Sequence, residues 1–207
     1  MGNDTLGNPE FPMEGGCACG LVRYRLEAHP LIVHCCHCTS CQRETGTAFA
    51  LNAVIESSLI TLLPSAPATV PASAQCNAKP AAPPIGPFKE DCAVEPETIL
   101  TPSESGKGQT IARCPKCRVA VWSNYGGAGP FCRFIRVGTL DEAWKVGPDV
   151  HIYTRSKRGF FMLDDGLPQF SGYYPSVDEV WSKQSLERWA KIWPEIVKYK
   201  ESLVQRS

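Results

Sequence analysis

Eight of the eleven cysteines lie in three short clusters: Cys17-Ala-Cys19, Cys35-Cys36-His37-Cys38-Thr-Ser-Cys41 and Cys114-Pro-Lys-Cys117. Thiolates at such spacings suit a zinc ion, which is closed by four protein ligands in a structural site and left open by three in a reactive one. The clusters divide in that way. Cys17, Cys19, Cys114 and Cys117 supply two pairs from opposite ends of the sheet-forming region, so an ion shared among them ties distant strands together. Cys36, Cys38 and Cys41 form a set of three on one loop, and Cys35 is a spare thiol beside them. Cys35, His34 or His37 could replace a ligand, and the histidines could shuttle protons.

The rest of the composition narrows the class. With 207 residues, 43% of them hydrophobic, the chain suffices for one well-buried domain and is short for two. Lysine plus arginine and aspartate plus glutamate balance at 21 each, so no overall field draws the chain to nucleic acid or an anionic membrane. The polar start, Met-Gly-Asn-Asp-Thr, lacks the apolar core of a secretory signal, and no stretch approaches a membrane span, so a cytoplasmic location is expected. In a reducing compartment, an odd cysteine count points to metal ligands and free thiols rather than disulfides.

Short β-like runs dominate the first two thirds. In 21–27, Val22, Tyr24 and Leu26 alternate with Arg23 and Arg25, the period of a half-buried strand. Further strands are predicted at 31–34, 47–55, 59–63, 110–113, 119–122, 131–137 and 151–154, separated by turn signals that favour antiparallel sheets. Residues 64–108 hold nine of the 18 prolines and no sustained period, and read as a long insertion loop containing Cys76 and Cys92. In the final segment, Ser176-Val-Asp-Glu179 is a capping-box pattern and Leu186, Trp189, Ile192, Trp193 and Ile196 recur at helical spacing, with Pro194 expected to break the helix or open its second piece. The organisation predicted is a tail over 1–13, a zinc domain over 14–175 with the insertion at 64–108, and a helical extension over 176–207. The tryptophans are expected to be core or docking residues.

Three thiolates on Zn²⁺ leave a formal charge of −1, which weakens the metal as a Lewis acid toward water and favours binding and activating an incoming thiol. Basic residues that would receive an anionic substrate include Arg43, Arg133, Arg136, Arg155, Lys157 and Arg158. Arg43 leads, because it lies two residues beyond Cys41. The stretch from His151 to Phe161 comes second, with its histidine, tyrosine and basic groups.

The runs Gly16-Cys-Ala-Cys-Gly-Leu-Val-Arg-Tyr24, Cys36-His-Cys-Thr-Ser-Cys-Gln-Arg-Glu-Thr-Gly46 and Cys114-Pro-Lys-Cys117 resemble the glutathione-dependent formaldehyde-activating enzyme family, shared with centromere protein V. The resemblance extends over 14–63 and 109–173, including His151-Ile-Tyr and Asp165-Gly-Leu-Pro-Gln-Phe170. It implies a mainly β, β-tent fold of antiparallel sheets and two zinc ions per chain. The structural ion would match Cys17, Cys19, Cys114 and Cys117, and the catalytic ion Cys36, Cys38 and Cys41. The implied activity is carbon–sulfur lyase chemistry, the reversible joining of glutathione to formaldehyde; Arg43 and His151, singled out by their own positions, are the candidate substrate-binding residues. The implied partner is thus a small thiol or thiol adduct, and a homo-oligomer is compatible with the sequence. One departure is Arg118, where the family has glycine after the knuckle, so a different knuckle turn is expected. Two rival readings are a zinc-stabilised binding module, and a β-tent redox enzyme with Cys132 as nucleophile.

Overall fold

Alternation along β2 (Arg23–Leu26) sends Tyr24 and Leu26, together with the preceding Val22, into the core, where all three are fully buried. Arg23 is buried on the other side because Asp141 receives its guanidinium with two hydrogen bonds, the Nη1–Oδ1 bond measuring 2.7 Å. The computed structural model describes residues 9–66 and 92–204. In it, β2 lies between β1 (Met13–Gly16) and β5 (Ile60–Leu63) in a three-stranded antiparallel sheet.

A second sheet has seven strands. They are β3 (Ile32–Cys36), β4 (Ala50–Glu56), β6 (Glu97–Thr101), β7 (Gln109–Arg113), β8 (Ala120–Tyr125), β9 (Cys132–Arg136) and β10 (Val150–Ile152), in the order β10-β3-β4-β9-β8-β7-β6. Its pairs are antiparallel except β10 with β3, which are parallel, with His151 opposite Cys35 and Ile152 opposite Cys36. One core, built on Tyr24, Ile55, Trp122 and Ile135, includes residues of both sheets. The other joins Ile32, Val54 and Ile152 to Trp181 and Ile196 of the C-terminal segment. The mainly β class with a C-terminal helix is as expected from the sequence.

Three elements differ from the expected ones. The run 47–55 starts as a strand only at Ala50, because Thr39–Thr45 forms a short helix, α1, closed by Gly46 in the left-handed region at φ 68°. The segment read as a structureless insertion contains β6, an edge strand held to β7 by its backbone while four of its five side chains are exposed, which explains why no apolar period marks it. Residues 67–91, Cys76 among them, lie outside the described residues; Cys92 is an exposed thiol. The C-terminal helix, α2 (Lys183–Val204), runs unbroken through Pro194. The proline ring and Ala190, whose carbonyl loses its partner, both lie on the exposed side, where water replaces the missing bond. Ser176 caps a separate 3₁₀ turn at Val177–Glu179, and Ser182 caps α2, its Oγ accepting from the Ser185 N–H at 3.1 Å. Among the described residues no helix is long and apolar enough to cross a membrane.

Helix α2 is fastened to the sheet by Arg188. Its Nε donates to Glu56 at 2.9 Å, a second bond joins the same carboxylate, and Nη1 donates to the His29 carbonyl at 2.6 Å. The Glu56 side chain is only 6% exposed, so removing its partner strands a buried carboxylate. Arg188→Ala is expected to destabilise the fold by about 2–4 kcal/mol in urea unfolding, less than for a fully buried pair because Arg188 keeps some solvent contact.

Candidate metal centres and cavity

Cys17 and Cys19 occupy the turn after β1, and Cys114 and Cys117 the turn after β7; their four sulfurs lie within 4.8 Å of one another. Cys17 to Cys19 measures 3.5 Å and Cys19 to Cys114 measures 3.7 Å. A tetrahedron with zinc–sulfur bonds of ~2.3 Å has edges of about 3.8 Å, so the donor set fits zinc. Backbone N–H groups already point at the sulfurs: Val22 to Cys17 at 3.3 Å and Lys116 to Cys114 at 3.4 Å. Burial pushes the Cys17 and Cys114 thiols up. Burial also opposes ionisation of Cys117, but hydrogen bonds from the Val119 and Cys19 backbones prevail and bring its thiol down to about 7. The knuckle turn corrects the expectation drawn from Arg118, which takes the glycine-like left-handed conformation at φ 64° while its N–H donates to the Cys114 carbonyl at 3.1 Å and its guanidinium pairs with Glu97. A β-branched side chain fits that region poorly, so Arg118→Val is expected to be less stable than Arg118→Gly by about 1–2 kcal/mol in urea melts.

The second cluster follows from the end of β3. Cys36 closes the strand, Cys38 caps α1 with its sulfur accepting from the Cys41 N–H at 3.3 Å, and Cys41 sits in the first helical turn. All three are buried and their sulfurs lie within 4.8 Å of one another, a donor set that also fits a metal ion. Hydrogen bonding with Cys36 and Cys41 holds the Cys38 thiol far down, to about 3, while its interaction with Cys38 raises Cys36. Among the described residues three thiols converge here, and they line a cavity of about 420 Å³.

The cavity wall includes the aromatic side chains of Tyr125, Phe134, Tyr153, Tyr173 and Trp189, beside polar groups such as Asn52, Glu104 and Lys107. Burial raises Tyr125, Tyr153 and the deeply buried Tyr173 above the usual phenol range, reinforced by nearby thiols for the first two and by Tyr174 for the third, so the hydroxyls stay protonated as donors. Tyr153 sits in the left-handed region at φ 57°, one of two such non-glycine residues among those described. Behind the wall, Trp181 Nε1 donates to the Tyr174 hydroxyl at 2.7 Å and Tyr173 donates to it at 2.9 Å. Tyr174 therefore donates to His34 Nε2, 2.9 Å away. Burial lowers His34 to about 3, which keeps it neutral. Arg136, buried and bonded to Asn52 and to Ser123 Oγ at 2.9 Å, is a fixed cation near Cys41; a hydrogen bond with Cys36 and then the Arg136 charge lower that thiol, but Cys38 and burial outweigh them and push it up to about 11.

A sequence model described as "Glutathione-dependent formaldehyde-activating enzyme" matches residues 12–82 and 88–156, well over half of the chain. The chain belongs to that family. Among solved structures, it is similar to a crystal structure of a Rhodobacter sphaeroides protein, at 16% identity and a TM-score of 0.39, over 76% of this chain and 99% of that one. No curated protein matches the sequence.

In this member of the glutathione-dependent formaldehyde-activating enzyme family, the structure brings together both cysteine sets named from the sequence. It does not bring Arg43 or His151 to the cavity. Arg43 is exposed on α1 and absent from the cavity wall, since two residues along a helix from Cys41 turn the side chain to the far side. His151 is buried on β10 and engaged by His37 and Asp165. Among the other basic candidates, Arg155 is bound by Glu104, while Arg136 is buried near the thiols rather than solvated. Cys132 lines the cavity, but burial raises its thiol to about 12, which leaves it without a reactive thiolate. The cavity wall escaped sequence reading because its members come from distant segments, with aromatic side chains from β8, β9 and α2 and polar ones from the Ser103–Lys107 turn after β6. The helical spacing did mark Trp189, which serves both docking and the wall.

Proposed function

We propose that this chain is a zinc-dependent carbon–sulfur lyase-type enzyme that makes or breaks adducts between a thiol of the glutathione class and a small aldehyde or related compound. The observation that carries the proposal is the buried trio Cys36, Cys38 and Cys41 opening on the cavity, with no fourth ligand beside them among the described residues. Cys17, Cys19, Cys114 and Cys117 would hold a structural zinc ion, and the trio a second one. Zinc bound to the trio would supply acidification of an incoming thiol and a fixed place for its sulfur.

The chain's own residues account for the rest. In the addition direction a C–S bond forms, the carbonyl π bond becomes a C–O single bond, and the thiol proton is in balance delivered to that oxygen. Tyr153, kept protonated beside the thiols, is the donor toward the carbonyl oxygen, and the reverse transfer serves cleavage. Arg136 moderates the surplus negative charge of the trio from below the surface. The aromatic side chains of the cavity hold the organic part of the adduct, where orientation of the two reactants can contribute ~10⁵ M or more in effective molarity.

The test is equilibrium exchange between glutathione, formaldehyde and S-hydroxymethylglutathione followed by NMR, repeated with larger aldehydes that would fill the cavity. Exchange accelerated by the zinc-loaded protein and lost on chelation is the expected result. No acceleration with any thiol and aldehyde pair would remove the proposal. Tyr153→Phe is expected to slow exchange by about 10²-fold without weakening thiol binding.

A further inference from the structure

Strand β3 is buried on both faces, and its period of two sends Cys35 to the opposite side of the sheet from His34 and Cys36. There the parallel register with β10 sets His151 directly beside Cys35, and His37, leaving the strand, turns its ring to the same place. We propose that Cys35, His37 and His151 form a third metal site, distinct from both cysteine clusters, for zinc or a similar borderline divalent ion.

The spacing supports an ion. His37 Nε2 lies 3.0 Å from His151 Nδ1 and 3.5 Å from Cys35 Sγ, and all three donor atoms fall within 4.8 Å of one another. Tetrahedral edges built from ordinary zinc bond lengths are about 3.3 Å between nitrogens and about 3.6 Å between nitrogen and sulfur. All three side chains are buried, and Phe49 and Phe161 pack against the His37 ring, so the site is dry on that side.

Hydrogen bonding alone serves this group badly. His37 Nε2 faces two partners and carries either one lone pair or one proton. If it accepts from the Cys35 thiol, His151 Nδ1 must donate to it, which turns a bare Nε2 of neutral His151 toward the Asp165 carboxylate 2.8 Å away. If it donates to His151 instead, the thiol loses its acceptor. An ion takes one lone pair from each of the three atoms and leaves His151 Nε2–H to donate to Asp165, the carboxylate–histidine–metal arrangement that fixes ring and tautomer. Among the described residues His37 Nδ1 has no partner in either case, so none of them pins the opposite tautomer. The charges also close: one thiolate and two neutral imidazoles leave +1 on a divalent ion, and Asp165 offsets it. No described side chain supplies a fourth ligand, so that position is left to solvent or a small ligand.

The experiment is cobalt loading of the full chain, read by metal stoichiometry and by contact-shifted proton NMR. The two cysteine clusters contain no histidine, so shifted imidazole ring protons from two rings are expected only from this site. Cys35→Ala and His151→Gln are each expected to lower the content by one equivalent and remove those signals, leaving the thiolate charge-transfer bands of the other clusters in place. Fully loaded wild-type protein without shifted imidazole signals would overturn the site, a result that needs no variant to fold. Shifted signals that persist in both variants would place the imidazole on another ion and overturn it equally. Failure of the lyase reading would appear separately, as bands of the Cys36 trio unresponsive to thiols.

Discussion

Cys114→Ser is expected to lower the melting temperature by at least ~8–16 °C, corresponding to a loss of about 4 kcal/mol or more for a chain of this size. Cys114 begins the turn after β7 and Cys17 the turn after β1, so the four-cysteine cluster joins the two sheets at one end of the core they share. Apparent metal-linked folding energies of structural zinc are ~10–16 kcal/mol, comparable with the ~5–15 kcal/mol total stability of an ordinary domain. Forfeiting one of four thiolates therefore removes a large share of what separates folded from unfolded. The check is a pair of thermal melts with metal content measured on the same samples. Chelation of the wild type should reproduce most of the effect, and a variant melting within about 2 °C of wild type would show that the cluster is not a structural clamp.

Cys38→Ala should separate stability from chemistry. The substitution removes one thiol of the trio and the sulfur that caps α1 through the Cys41 N–H. A lost cap costs about 1 kcal/mol, and α1 is a short surface element of the fold, so the melting temperature should fall by only about 2–4 °C. Turnover should fall by at least ~10²-fold, because even indirect disturbance of a metal's ligands costs 10–100-fold and this change removes a ligand itself. Metal content should drop by one equivalent while the four-cysteine cluster keeps its own. Turnover within a few-fold of wild type would remove the trio from the chemistry.

The division into four and three cysteines was legible in the sequence because ligand spacing is a local property, set by short turns that any fold must respect. The strand at Arg23–Leu26 was legible because Val22, Tyr24 and Leu26 alternate with Arg23 and Arg25 in the sequence, and Cys132–Arg136 because turn signals at Gly126-Gly127 and Gly129-Pro130 precede it. Helix α1 was not, since its seven residues are polar or cysteine and carry no apolar stripe. Nor was β6, whose backbone is held by β7 while its side chains face solvent. Nearness in sequence misplaced Arg43, which the helical turn carries away from the thiols. Composition misplaced His151, whose position is decided by a parallel register between β3 and β10 that no local pattern announces. Arg118 shows the reverse case, a residue unsuited to the turn that the surrounding knuckle hydrogen bonds hold in the glycine conformation.

The central claim is that Cys36, Cys38 and Cys41 present a metal with one open position to a thiol entering the cavity. Titrating glutathione into the fully cobalt-loaded chain tests it most directly. The account predicts a saturable rise in thiolate-to-cobalt charge-transfer absorption worth one added sulfur ligand, absent in Cys38→Ala. A spectrum unchanged at large thiol excess, with cobalt still bound, would contradict it.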